Sequence, residues 1–343
     1  MRILVVGPIK GGSLPIGRAI YSAFNQIGQD ARFLDYSNWE NEFRDIVKSK
    51  DEDLSCRFIY RCNIRLMKEV LEFKPDVIFG IAQSPLVSDS LLIQLRKAGI
   101  VLCFWFVEDY EVIDSWKSYA PYFDYYFTIQ KEPFWKELRR IGCKNLHYLP
   151  TAFDSNLPSS EGQALPRIDV SFVGAPYPNR VHFFRDLKRR GFEIYGDAWE
   201  GYDNPSVVVG HRWVSDIEAR SIYERSIINI NLHSSAGPDS FGEGDFVNPR
   251  TFELAGLGVF QLTDMRTLMP LHFDLKDEMV VLKSWKDMKR AIEYFLRHGS
   301  ARAALAKKAR ERVLQGHTYE HRAAEIIDTL SRTQRAGDRW TTS

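Results

Sequence analysis

The sequence predicts an α/β protein made of two Rossmann-like domains in tandem, and three observations carry that reading. Short apolar runs, often β-branched, alternate with stretches of helical spacing from residue 2 onward. Residues 153–167, "FDSNLPSSEGQALPR", interrupt this alternation with Ser, Pro and Gly and little apolar content. The alternation then restarts at Ile168. Continuous apolar strands between helices imply a parallel sheet covered on both faces. A chain of 343 residues also exceeds what one core usually holds. The expected layout is a domain over 1–152, a linker over 153–167 and a domain over 168–316. A C-terminal helix over 317–331 could pack back toward the first domain, ahead of a tail over 332–343.

In the first half, strand 2–6 leads into a loop with Gly7, Gly11 and Gly12. Ile16, Ile20, Phe24 and Ile27 then share one helical face. Further strands are expected at 77–81, 101–107, 125–128 and 146–149, with helices at 58–73 and 85–97. In the second half, strand 168–173 ends at Gly174, and a helix begins at Asn179 and closes at Gly191. Strands 192–196 and 207–210, helix 215–225 and strand 227–232 follow. Pro249 opens a helix, because its missing N–H costs nothing in a first turn. Gly256 and Gly258 hand that helix to a strand at 259–262. Helical patterns at 285–297, 302–313 and 319–330 complete the chain.

Composition narrows the function classes. Hydrophobic residues make up 44% and charged residues 27%, which is ordinary globular usage. With a formal net charge of +1 there is no global pull toward nucleic acid. Lys188, Arg189 and Arg190 read as a solvated helix face. Four cysteines without a CxxC pair suit a reducing compartment. "MRILVVGP" is too short for a signal segment, and no run of about 18 apolar residues occurs. A soluble, cytoplasmic protein is expected. "DED" at 51–53 mimics a metal-binding motif but lies in a charged turn, so no metal is expected.

Several residues invite chemistry. Gly174 ends a strand just before a helix, where a phosphate can approach backbone N–H groups. In "GAPYPNR", Arg180 opens the helix and could reach a diphosphate. The loop "GPIKGGSLPIGR", with Asp35 after the second strand, loosely resembles a dinucleotide fingerprint and leaves a nicotinamide dehydrogenase open. Glu253 lies one turn into its helix, near the positive end, and could accept hydrogen bonds from vicinal ribose hydroxyls. Asp245 precedes it by eight residues in the glycine-rich loop "FGEGDFV". His233 sits at a strand's carboxyl end, as a ligand contact or a structural histidine. Glu108 and Asp109 end another strand and are candidate general bases or helix caps. The stretch "FWKELRRIGCKNLHY" suits either a membrane surface or ordinary helix packing.

"DVSFVGAPYPNR", "YERSIININ", "NPRTFELAGLGVFQLTD" and "HTYEHRAAEIIDTL" resemble the GT-B glycosyltransferases, and more narrowly their spore-maturation CgeB-like group. The likeness covers most of the second domain, and "FWFVEDY" is its best piece in the first. It implies two Rossmann-like domains facing a cleft, with the donor nucleotide bound by the second. Glu253 would take the ribose hydroxyls. Arg250 and Arg180 would neighbour the diphosphate, beside backbone N–H groups of Gly174 and Ala175 and the helix start at Asn248. His211 and Arg212 would border the base. Asp245 stands where many retaining members have Glu, which departs from the family's E-x7-E pattern. The resemblance implies no bound metal and no cofactor beyond a nucleoside-diphosphate sugar, UDP-sugar first. The acceptor would be a glycan, a lipid-linked sugar or a protein, deprotonated by Asp109 or Glu108 in an inverting displacement. Alternatives are a nucleotide-sugar epimerase or hydrolase and a binding protein without turnover.

Overall fold

Parallel pairing of short buried strands decides the architecture. The computed structural model describes residues 1–157, 166–200, 202 and 208–338. The chain divides into two compact units, Met1–Thr151 with the chain from Tyr319 onward, and Ala152–Thr318.

The first unit runs β1 (Arg2–Val6), α1 (Ser13–Gln26), β2 (Asp30–Leu34), α2 (Glu40–Ser49), α3 (Glu52–Phe73) and β3 (Val77–Ile81). It continues through α4 (Asp89–Lys97), β4 (Val101–Phe106), α5 (Trp116–Tyr119), β5 (Tyr125–Thr128), α6 (Phe134–Arg140) and β6 (Leu146–Tyr148). The sheet order is β2-β1-β3-β4-β5-β6, all parallel. Strand β3 is buried along its whole length and β4 nearly so, which explains their unbroken apolar sequences. Phe24 of α1 meets Phe79 of β3 edge-on at 5.6 Å. Each such ring taken out of water stabilises the unit by about 1.5–3 kcal/mol. Helix α2, which the periodicity reading left out, buries no residue fully, though its Phe43 meets Phe58 of α3 at 5.5 Å. Asp51 of the "DED" run caps α3, accepting the Leu54 N–H at 3.0 Å, with Glu52 and Asp53 in the first turn. In α6, Phe134 and Leu138 are buried while Arg139 and Arg140 pair with Glu132 and Glu137, so helix packing accounts for that aromatic-basic stretch.

The second unit comprises β7 (Ile168–Val173), α7 (Pro178–Arg185), β8 (Phe192–Gly196), β9 (Val208–His211), α8 (Asp216–Arg225) and β10 (Ser226–Asn231). After these come α9 (Pro249–Leu257), β11 (Gln261–Asp264), β12 (Val280–Leu282), α10 (Trp285–Arg297) and α11 (Gly299–Gly316). Its sheet is also parallel, in the order β12-β11-β10-β7-β8-β9. The last helix, α12 (Tyr319–Asp338), belongs to the first unit and packs on α1. Its buried Arg322 donates from Nε to Pro150 O at 2.8 Å, and Ala323, Ile326 and Leu330 are buried. The helix continues past Leu330, where the sequence reading ended it; residues 339–343 of the expected tail lie outside the described residues.

Several expectations shift. Helix α7 ends at Arg185, and Gly191 (φ +82°) instead turns the chain into β8. The strand after α9 starts at Gln261, because the helix end uses Gly258 and Val259. Gly258 (φ +71°) donates to Ala255 O at 2.9 Å and Val259 to Leu254 O at 3.2 Å, the paired closure of a Schellman motif. Phe153, expected in the linker, is buried, bridges Thr318 and donates to His317 O at 2.9 Å. Residues 158–165 of that linker lie outside the described residues. Gly256 serves this ring: a Cβ there would stand 2.2 Å from Phe153 Cγ.

That approach generates a prediction. Gly256→Ala gains helix propensity of about 1 kcal/mol, but overpacking should outweigh it and lower stability by about 1–3 kcal/mol in denaturant unfolding. Adding Phe153→Leu should recover part of the loss. A stabilised single variant would show that the ring yields freely.

Candidate functional site

In the second unit the strand order reverses between β7 and β10, because β8 and β9 lie on one side of β7 and β10 to β12 on the other. Loops leaving the carboxyl ends of two such strands part there and open a crevice suited to ligands. The loop after β7 begins at Gly174 (φ +153°), whose N–H donates to Tyr195 O at 2.8 Å. Its carbonyl accepts from Trp199 Nε1 at 2.8 Å. The Gly174 N–H, expected to meet a phosphate, is here taken up by sheet pairing. Glycine is needed here for another reason. A Cβ would sit 3.0 Å from Arg250 Nη2 and 3.1 Å from the Phe172 ring. Ala175 next to it is exposed, and its carbonyl accepts from Arg180 Nη1 at 3.0 Å.

Arg180 is buried in the first turn of α7, where Nε and Nη2 both donate to Leu232 O, at 3.1 and 2.9 Å. It thus joins the loops after β7 and β10, rather than reaching out as the sequence suggested. Burial and the neighbouring Arg250 pull its pKa down to about 9. Both guanidiniums lie over Phe172, at 5.1 Å for Arg180 and 5.2 Å for Arg250. Arg250 donates from Nε to Tyr223 Oη at 3.2 Å, while its buried Nη1 has no hydrogen-bond partner. Among the described residues neither arginine has a carboxylate within ion-pair distance. A buried guanidinium beside a half-buried one, with no counter-charge, is costly unless an anion joins them.

The start of α9 is fixed by a polar network. Asn248 accepts the Thr251 N–H at 3.0 Å and donates to Asn231 Oδ1 at 2.8 Å. Asn231 in turn donates to Thr251 Oγ1 at 2.8 Å and Gln261 Oε1 at 3.0 Å. The Asn248 side chain thus caps α9 and ties its start to β10. Glu253, one turn further, is half-buried and accepts no hydrogen bond among the described residues. Burial raises its pKa, opposed by the nearby Arg250 and Arg220.

Sequence reasoning missed the device beneath these loops. Asp264, the last residue of β11, accepts the His233 N–H at 2.9 Å and pairs with His233 Nδ1 at 2.7 Å. Its other oxygen takes Arg266 Nε and Nη2 at 3.1 and 2.8 Å. All three side chains are buried. Arg266 also lies 5.4 Å from the Phe246 ring, and Gly244 (φ +92°) packs so close that a Cβ would meet Arg266 Nη1 at 2.9 Å. The loop bearing Asp245 is thereby held from below, with Leu268 N–H on Asp245 O at 3.3 Å. The only signal in the sequence was an aspartate ending an apolar strand. His233 is accordingly structural on its Nδ1 side, while its Nε2 is buried without a partner.

His211 and Arg212 do not join this group through their side chains. Both are exposed, and Arg212 forms an ion pair with Glu218 on α8, with Nη1 to Oε2 at 2.8 Å. In the first unit, Glu108 is half-buried at the end of β4 and accepts from Ser13 Oγ at 2.5 Å and Gln83 Nε2 at 3.0 Å. Burial raises its pKa and the adjacent Asp109 adds to the rise. Asp109 itself organises a turn, accepting the Glu111 N–H at 3.1 Å. Asp35 pairs with Arg18 at 3.0 Å and caps Ser37. Among the described residues no three His, Cys, Asp or Glu side chains gather to hold a metal, and no helix is long and apolar enough to cross a membrane.

Residues 175–328 match a family model described as glycosyl transferase-like. The chain is 23% identical to spore protein CgeB of Bacillus subtilis (strain 168) over 345 residues, 95% of this chain and 98% of that protein. Anabaena HepE in complex with UDP and glucose superposes with a TM-score of 0.63 at 11% identity, over 97% of this chain and all of that one (100%). Sucrose-phosphate synthase from Thermosynechococcus elongatus gives 0.62 at 10% identity, over 98% and 99%. The fold is that of the GT-B glycosyltransferases.

The buried triad makes a pH prediction. Burial pulls the His233 pKa from its usual 6.5 down to about 4, although Asp264 opposes this. Burial alone would raise the Asp264 carboxyl, but His233 and Arg266 hold it well below the usual carboxylate range. Between pH 6.5 and 4 the unfolded chain thus binds a proton that native His233 refuses, so stability falls as pH drops through that window. Below it, protonation in the unfolded state of Asp264 continues the loss. His233→Gln keeps a donor to Asp264 but should flatten the slope across that window in urea unfolding. An unchanged slope would mean other groups set it.

Proposed function

We propose that this GT-B glycosyltransferase moves a sugar from a nucleoside-diphosphate sugar to an acceptor hydroxyl, without a metal and with inversion. The observation that carries the donor side is the uncompensated cation pair. Arg250 has a buried, unpartnered Nη1 and sets its Nη2 beside Gly174, and Arg180 lies on the same Phe172 ring. A diphosphate supplies the missing charge, and Arg250 is in place to neutralise it as it leaves. The start of α9 adds a positive helix end. Glu253, free of hydrogen-bond donors within the described chain, is the acceptor for two ribose hydroxyls. HepE's complexes with UDP and with UDP-glucose make uridine the first base to test. His211 would border the base with the exposed β9 end, and Asp245 would approach the donor sugar. Such donors belong to the cytoplasm, and four free cysteines suit it.

On the acceptor side, Glu108 fits the base better than Asp109. Ser13 and Gln83 hold its carboxylate in place, and burial raises its pKa toward neutral working pH. The acceptor oxygen attacks the anomeric carbon as the bond to the phosphate oxygen breaks. The electron pair leaves with the nucleoside diphosphate, and the hydroxyl proton passes to Glu108. Glycans, lipid-linked sugars and protein hydroxyls all fit this chemistry.

In a thermal-shift titration against UDP, GDP, dTDP, CMP and NAD, one nucleoside diphosphate should stabilise the protein. At about a hundred times its Kd the gain is roughly 2.7 kcal/mol. Arg250→Gln and Glu253→Gln should each weaken that response; stabilisation by NAD alone would sink the proposal. With a transferable donor in hand, Glu108→Gln should lower kcat by about 10²–10⁴, and proton NMR of the first-formed product should show the inverted anomer. A retained anomer would overturn the single displacement.

A further inference from the structure

Residues 81–84 form a turn after β3, closed by the Ser84 N–H on Ile81 O at 2.9 Å and tied to β4 through the Ala82 N–H on Trp105 O at 2.9 Å. Its third residue, Gln83, has φ +67°. Glycine is the default at such a position, because a Cβ crowds the backbone there. A glutamine in its place leaves the turn strained, and strained residues of this kind cluster where the side chain serves a function.

The side chain has one. Gln83 is exposed on its turn, and Nε2 donates to Glu108 Oε1 at 3.0 Å. Its amide oxygen lies against Gly11 (φ +92°), where an added Cβ would stand 2.8 Å away. Buried Ser13 donates to the same Oε1 at 2.5 Å. Segments following β1, β3 and β4 therefore converge on one carboxylate oxygen, at the strand-order reversal of the first sheet. Glu108 Oε2 carries no hydrogen bond among the described residues. One oxygen is locked and the other is left to take a proton.

We infer that Gln83 is a positioning residue for the transfer reaction: its amide, held by a strained turn, fixes Glu108 so that Oε2 receives the acceptor's proton. This rests on the transferase reading above. The other titratable groups acting on Glu108 are Asp109 beside it and Tyr119. Both stay unchanged in the test.

Two variants separate the amide from the strain. Gln83→Gly removes both, and Gln83→Met removes the donor but keeps the Cβ. Thermal stability, the Glu108 pKa by carboxyl carbon NMR titration, and kcat and KM against pH are measured for each. A hydrogen bond to the charged form lowers a carboxyl pKa, so both variants should show a higher Glu108 pKa. The acidic limb of kcat should move to higher pH, with kcat down about tenfold and the donor KM unchanged. Gln83→Gly should be at least as stable as wild type, and Gln83→Met no more stable. An unchanged Glu108 pKa in both variants overturns the inference, whether or not the wild type turns over. A raised pKa with unchanged kcat overturns the catalytic part. A wild type that transfers no sugar tells instead against the transferase reading.

Discussion

The Asp264 carboxylate is the constraint on which the second unit's working edge depends. It accepts four hydrogen bonds from His233 and Arg266, which fills the acceptor capacity of a carboxylate. Fully buried charge is tolerated only when so completely paired. Because the donors come from the ends of two neighbouring strands, this one group fixes where β10 and β11 release their loops. Arg266 carries the constraint into the glycine-rich loop 241–247, through Phe246 and the close approach at Gly244. Removing the carboxylate would free both a buried guanidinium and a buried imidazole at once.

Against that saturated centre, the neighbouring cations are conspicuously unsatisfied. Arg180 is held by carbonyl oxygens and Arg250 by a tyrosine hydroxyl, neither of which supplies a formal negative charge. The second unit therefore combines one fully compensated charge cluster with one that is incomplete. The first holds two strand ends together, while the second is the basis of the diphosphate site proposed above. A comparable division holds in the first unit. Its core strands are apolar throughout, while the strained Gln83 turn and half-buried Glu108 sit at the carboxyl edge.

Much of the fold was legible because buried parallel strands read as continuous apolar runs. The strands Arg2–Val6, Val77–Ile81 and Phe192–Gly196 fall where the runs predict them. Helix α2 was not read, although Phe43, Ile46 and Val47 repeat at helical spacing, because that short apolar face sits within the charged run 40–53 and is only partly covered. The strand after α9 was expected two residues early, because a Schellman closure consumes Gly258 and Val259 before the strand can begin. At the candidate site, residue type suggested Arg180 and Asn248 as ligand contacts. The structure shows Arg180 also clamping the Leu232 and Ala175 carbonyls and Asn248 capping α9, uses that single letters do not announce.

Two parallel α/β units and their approximate elements were already legible from the sequence alone. Hydrophobic period and turn chemistry are local, so one chain suffices to read them. Only the tertiary structure decided which charges meet. The joining of Asp264 with His233 and Arg266, the pairing of Arg180 with Arg250 over Phe172, and the convergence of Ser13 and Gln83 on Glu108 span gaps from 2 to 95 residues. Such contacts are set by strand order and loop closure, which bring together side chains with no spacing rule to link them.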